Sequence, residues 1–128
     1  MSRIFLTLAS ILGGFSVIAG AFGSHSLRGQ LSDRALEVFQ TGTRYEMYHA
    51  LALLAVGVLL ARSPSPQPLL VAAGWAFVAG VILFSGSLYG LSTTAAGWLG
   101  LVTPFGGVIL IVGWALLAIA ATRPSINP

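Results

Sequence analysis

Between Tyr45 and Arg62 the chain runs for about 17 residues with one acid, one histidine and otherwise apolar, aromatic or glycine side chains, the lower limit of what crosses a hydrocarbon core of roughly 30 Å. A polar stretch leads into it, so charge, tyrosines and a histidine meet at one seam. Glu46 and His49 are three apart and share a helix face, while Tyr45 and His49 are four apart. Ionisable groups at that depth are costly unless they find partners or reach water. Two readings follow. Glu46 snorkels, the tyrosines form an interfacial belt and His49 bonds a neighbouring helix, or the group is a ligand, proton or metal site.

Three further apolar runs make the seam part of a pattern. They cover residues 4–22, 68–91 and 104–122, and with 45–61 they give four candidate spans. Only 7% of residues are charged, against about a quarter in soluble domains, which excludes an ordinary soluble fold. The expected fold is all-α: a four-transmembrane-helix bundle forming one integral membrane domain over 1–128. Arg3 and Ala19-Gly20-Ala21 imitate a signal peptide, but the apolar run of about 19 residues exceeds an ordinary signal core, so it is read as a retained first span.

The connections are informative. Ser32 is a suitable N-cap and Asp33 complements the helix dipole. Leu36, Phe39 and Thr43 recur at helical spacing, which predicts a short amphipathic helix between spans one and two. It either lies at the interface or leads directly into span two, with Gly42 a place to bend. The prolines of Arg62–Pro68 exclude a continuous helix there, and Pro68 suits a first helical position. Trp98 is placed at the interface. Thr103-Pro104 reads as N-cap and first residue of span four, in preference to a helix from Ala95 kinked at Pro104. Arg123 and Pro124 end that span.

Small residues recur seven apart: Gly13 and Gly20; Ala50 and Gly57; Ala73, Gly80 and Ser87; Gly106, Gly113 and Ala120. This spacing keeps a stripe on one face and lets helix backbones approach closely. Four spans put both termini on one side with Arg3, Arg62 and Arg123. Arg28, Arg34 and Arg44 lie opposite, accompanied by Asp33, Glu37 and Glu46. Arginine counts tie; the unaccompanied arginines at helix ends favour cytoplasmic termini in the inner (plasma) membrane.

Four blocks carry a resemblance. They are Gly20-Ala21-Phe22-Gly23-Ser24-His25, Tyr45-Glu46-Met47-Tyr48-His49-Ala50-Leu51-Ala52-Leu53, Phe84-Ser85-Gly86-Ser87-Leu88-Tyr89 and Thr103-Pro104-Phe105-Gly106-Gly107. In this order they resemble the YgdD/YwdK-type small inner-membrane family, domain of unknown function 423, whose eukaryotic relatives are called transmembrane protein 256. The resemblance implies a small multi-pass membrane protein without an assigned reaction. Glu46 stands where the family pattern usually has glutamine.

In a four-span topology the blocks fall at one leaflet. His25, Glu46, His49, Ser85, Ser87, Tyr89 and Thr103 are therefore expected as a polar cluster at the bundle mouth, either closing the bundle by hydrogen bonds or binding a ligand. Glu46-x-x-His49 has the spacing of carboxylate di-iron bundles, and His25 with His49 could hold one metal or a haem, but the first shell is incomplete and no metal or cofactor is expected. Cysteine is absent, the serines near the histidines lack an orienting carboxylate, and no phosphate-cradling loop occurs. Enzymatic activity and nucleic-acid binding are not expected.

Two functions stand against each other. The first is a non-enzymatic accessory, assembly or interaction subunit in the lipid bilayer, packing glycine-rich faces against a larger membrane complex or a second copy. The second is a binder or carrier of a small amphipathic molecule, a quinone or lipid, at a mouth near His25 and His49.

Overall fold

The computed structural model describes residues 1–123, and the expected contribution of Pro124 to ending the last span lies outside them. Four helices follow in order: α1 (Ser2–His25), α2 (Asp33–Arg62), α3 (Pro68–Thr93) and α4 (Leu99–Thr122). No strand is formed among the described residues, and each helix is long and apolar enough to cross a membrane. The result is an all-α bundle in which α1 packs mainly on α2, α2 on α3 and α3 on α4.

The core follows from which apolar residues the helices turn inward. Phe5 and Ala9 of α1, Leu53 and Val56 of α2, Ala73, Phe77 and Val81 of α3, and Leu110 of α4 are buried together. A smaller cluster of Ala19, Leu27 and Phe39, with Tyr89 against it, closes the end away from the termini. Most large apolar side chains of α1 and α4, such as Ile11, Ile18, Phe105 and Ile111, remain exposed, as lipid-facing side chains do. Met1 and Ser2 share a recess with the Ser65–Pro68 turn, and Arg123 shares another with Ser63 and Gln67. Both described chain ends therefore meet the α2–α3 turn at one end of the bundle.

The amphipathic stretch is not a separate helix. It forms the first turns of α2, a continuous helix of 30 residues. At 1.5 Å per residue, α2 is about 45 Å long and exceeds the hydrocarbon thickness by roughly ten residues. Those residues carry Asp33, Arg34 and Glu37, with an exposed Arg34–Glu37 ion pair at 3.2 Å. Ser32 caps the helix as its sequence suggests, its Oγ accepting from the Ala35 amide at 3.1 Å. The helix stays unbroken at Gly42 because neighbouring helices grip it there. Ser16 of α1 donates to the Thr43 carbonyl at 2.7 Å and Ser85 of α3 to the Gly42 carbonyl at 2.8 Å. The turn into α2 uses Gly29 at φ +88°, a left-handed conformation that favours glycine.

The start of α4 differs from expectation. The helix begins at Leu99, and Pro104 lies inside it. Amides of Leu99, Gly100 and Leu101 make i→i−3 bonds into the entry turn, and the Leu99 side chain sits against Gly90 of α3. Thr103 therefore does not cap the helix; its hydroxyl lies 3.3 Å from the Leu99 carbonyl and 2.7 Å from Ser87 Oγ. Tertiary contact with α3 outweighs the local preference of Thr-Pro for a helix start, and Pro104 forgoes only the bond its own nitrogen would make to Gly100.

The small-residue stripes are used mostly inside the chain. A Cβ at Gly57 would lie 2.9 Å from Leu6, at Gly80 2.5 Å from Leu110, at Gly113 2.8 Å from Phe77, and at Gly106 2.8 Å from the Phe84 Cα. Gly13 makes only an ordinary contact with Ala50, and Gly20 has nothing within 4 Å. Gly20 thus does not serve close approach. One turn further, the Phe39 ring is held between Gly23 and Tyr89. Gly74, against Phe5, and Gly90, against Leu99, are close approaches outside the seven-residue pattern.

Candidate functional site

The seam residues diverge to two flanks of α2. His49 is 5% exposed and sits one turn beyond Tyr45. Its Nδ1 lies 2.6 Å from the Tyr45 carbonyl, and its Nε2 accepts from Trp114 Nε1 of α4 at 3.1 Å. A carbonyl can only accept and an indole N–H can only donate. The two bonds therefore select the neutral tautomer with the proton on Nδ1, and both ring nitrogens are engaged. Phe77 packs edge-on to Trp114, at 5.2 Å between ring centroids, and tilted to His49 at 5.8 Å.

Outside this pair, α2 and α4 leave a pocket of about 530 Å³. Tyr45, Tyr48 and His49 line it from α2, Phe84 from α3, and Ile111 and Trp114 from α4. Tyr45 stacks on His49 and packs against Phe84 at 4.8 Å, so aromatic rings form most of the wall. Gly107 contributes no side chain, which leaves room between the helices. The pocket is concave and mostly apolar, and Tyr48 and Ile111 at its edge are exposed.

Glu46 turns to the other flank. It is 3% exposed and accepts a hydrogen bond from the Tyr89 hydroxyl of α3. Among the described residues no cation pairs with it, the Arg34–Glu37 contact being the only salt bridge. Ser87 and Thr103 bond one another between α3 and α4, and Ser85 bonds α2.

The seven residues expected at one mouth are therefore not one cluster. Glu46, Ser85 and Tyr89 line one groove, where Tyr89 donates to Glu46 and Ser85 to the Gly42 carbonyl, while Ser87 and Thr103 form a separate pair. His49 belongs to the aromatic pocket. His25 joins none of them: it is the last residue of α1, exposed beyond the Gly23–Phe39 contact, where a basic side chain complements the helix C-terminus. Trp114 and Ser16, which complete the polar contacts, were not singled out in the sequence. Trp114 lies 65 residues from His49, and no spacing rule within one helix links them. No group of three or more metal-ligating His, Asp or Glu residues occurs among the described residues.

Comparison with known proteins places this chain in a family. Residues 19–107 match the family model described as protein of unknown function (DUF423). The chain is 44% identical to the UPF0382 membrane protein YwdK of Bacillus subtilis over 94% of this chain and 98% of that protein. It is 45% identical to a UPF0382 membrane protein of Staphylococcus aureus, and 40% to one of Staphylococcus epidermidis, each over 94% of this chain and 97% of the relative. No solved structure matches it.

Proposed function

This chain belongs to the DUF423 family of membrane proteins of unknown function, and from that premise we propose that it binds or carries a small, flat amphipathic molecule, a quinone being the model, in the aromatic pocket between α2 and α4. The pocket itself carries the reading: about 530 Å³, walled by Tyr45, Tyr48, Phe84 and Trp114, with His49 also in its lining. Small-molecule sites are concave, mostly apolar and carry few polar groups, in the range of roughly 300–1,000 Å³. Rings stack on the aromatic wall, and the Tyr45 and Tyr48 hydroxyls meet the polar end of the guest. The engagement of both His49 nitrogens supports a non-enzymatic role, because neither is free to exchange a proton with a guest.

The second reading, an accessory or assembly subunit in a larger complex or a self-associating chain, has one observation in its favour. On α1, Gly14 and Gly20 have open space before them beside the exposed Ile11, Phe15 and Ile18. Gly57, Gly80, Gly106 and Gly113 face neighbouring helices of the same chain and do not support such an interface. Extraction of native membranes in mild detergent separates the two. A quinone or similar amphiphile recovered with the isolated chain supports the pocket; a stable larger assembly whose chain carries no such molecule refutes it.

The proposal sets the chain in the cell inner (plasma) membrane with the end bearing Arg3, Arg62 and Arg123 in the cytoplasm. Because the chain has no cysteine, single cysteines at Gln30 and Ser65 report the orientation cleanly. A membrane-impermeant maleimide applied to intact cells should label position 30 and spare position 65. The reverse pattern inverts the topology.

A further inference from the structure

Glu46 has one oxygen bonded to Tyr89, while Oε1 has no hydrogen-bond partner among the described residues. Nor is Oε1 sealed in, since no fully buried side-chain oxygen or nitrogen there lacks a partner. Glu46 lines a separate groove of about 290 Å³ between α1 and α3, together with Ile11, Phe15, Ile82, Ser85 and Tyr89. This groove shares no lining residue with the aromatic pocket. Ile11, Phe15 and Ile82 are all more than half exposed, so its entrance faces lipid. A neighbouring hollow of about 260 Å³, lined by Ile18, Phe22 and Phe39, continues it past the Phe15–Tyr89 contact.

We propose that this groove is a lipid-side binding site for a lipophilic cation, an alkyl- or aryl-substituted ammonium or phosphonium, with the Glu46 carboxyl as its counter-charge. Charge complementarity selects the guest. An ionisable side chain inside a membrane bundle ordinarily pairs with another or marks a ligand path, and among the described residues the side chain of Glu46 is bonded to a phenol alone. The groove brings aromatic faces, Phe15 and Tyr89, beside that carboxyl, and such faces attract a desolvated cation. Apolar substituents occupy the Ile11, Ile82 and Phe22 walls.

Gly86 supplies an independent handle. It lines the groove, and a Cβ there would meet nothing within 4 Å, so a side chain can be added beside the groove without a clash at its first atom. Replacing a helical glycine also favours the helix. Glu46→Gln removes the charge while its amide oxygen still accepts from Tyr89.

The test is equilibrium dialysis of the purified full chain in detergent with tetraphenylphosphonium, and with triphenylphosphine oxide as an uncharged comparison. The wild type should bind tetraphenylphosphonium saturably and the oxide not at all. Glu46→Gln and Gly86→Leu should each weaken binding about tenfold or more while melting as the wild type does. Dicyclohexylcarbodiimide, an apolar carboxyl reagent, should modify Glu46 in native membranes, and tetraphenylphosphonium should protect it; this arm needs no variant. Equal binding by Glu46→Gln, preference for the uncharged oxide, absence of saturable binding, or labelling without protection would each overturn the proposal.

Discussion

Gly106→Ala should lower the stability of the bundle by about 2–3 kcal/mol, as measured by unfolding in mixed detergent micelles, the upper part of the range for overpacking a close interface. A methyl at position 106 meets the backbone of Phe84, with the Phe84 Cα at 2.8 Å, and backbone cannot rotate out of the way as a side-chain end does. The only relief is separation of α3 from α4, the most extensive helix pair in the molecule. Separation also stretches the Ser87–Thr103 hydrogen bond one turn away. In a membrane, helix association rests on close packing and hydrogen bonds rather than on the hydrophobic effect, so both losses count directly. Gly20→Ala is the matched comparison. Its Cβ has nothing within 4 Å, and replacing a helical glycine by alanine there should be neutral or stabilising by up to about 1 kcal/mol. Equal destabilisation by the two variants would contradict the assignment of Gly106 to an internal contact.

His49→Leu should cost about 1–2 kcal/mol, and Trp114→Phe a similar amount. The reason is asymmetric. Leucine leaves the Trp114 N–H without its acceptor, and phenylalanine leaves His49 Nε2 without its donor. In the membrane a polar group stripped of its partner finds no water to replace it and carries the desolvation penalty, whereas removing both partners leaves nothing unpaired. The double variant should therefore be no less stable than the worse single variant, a coupling of about 1 kcal/mol or more for residues in direct contact. Strict additivity of the two changes would show that the 3.1 Å contact contributes little and that each residue acts through packing alone.

Much of this architecture is written in the chain, and the failures have physical causes. Helix ends with their own chemistry were legible: the Ser32 cap, Pro68 as first residue of α3, and the proline-rich turn before it. The heptad-spaced glycines at 57, 80, 106 and 113 were legible as close approaches because seven-residue spacing persists on one face. Gly20 fits the same pattern yet faces open space, because periodicity along one helix does not say whether a neighbour packs at that level. Gly74 was not legible, because the residues seven positions away, Gln67 and Val81, are not small and no stripe marks it. Thr103-Pro104 carries a strong local signal for a helix start, and packing of Leu99 on Gly90 overrides it.

The polar residues were legible as types and not as a constellation. Topology puts His25, Glu46, His49, Ser85, Ser87, Tyr89 and Thr103 towards one leaflet, but depth alone does not set azimuth. A rotation of α2 by three residues sends Glu46 and His49 to different grooves. The partner of His49 depends on the register of α4 against α2, which no local spacing encodes.

The account turns on whether the pocket beside His49 takes a guest from the bilayer. Trp114 lines that pocket, whereas Trp75 packs on Phe5 and Trp98 lies exposed before α4. A chain with Trp75→Phe and Trp98→Phe therefore reports on the site through one indole. Titration of this chain in lipid nanodiscs with decylubiquinone should quench Trp114 fluorescence saturably, and filling the space with Gly107→Leu should abolish the saturable component. Quenching that rises linearly with quinone in the membrane, and is the same with leucine at position 107, would contradict it.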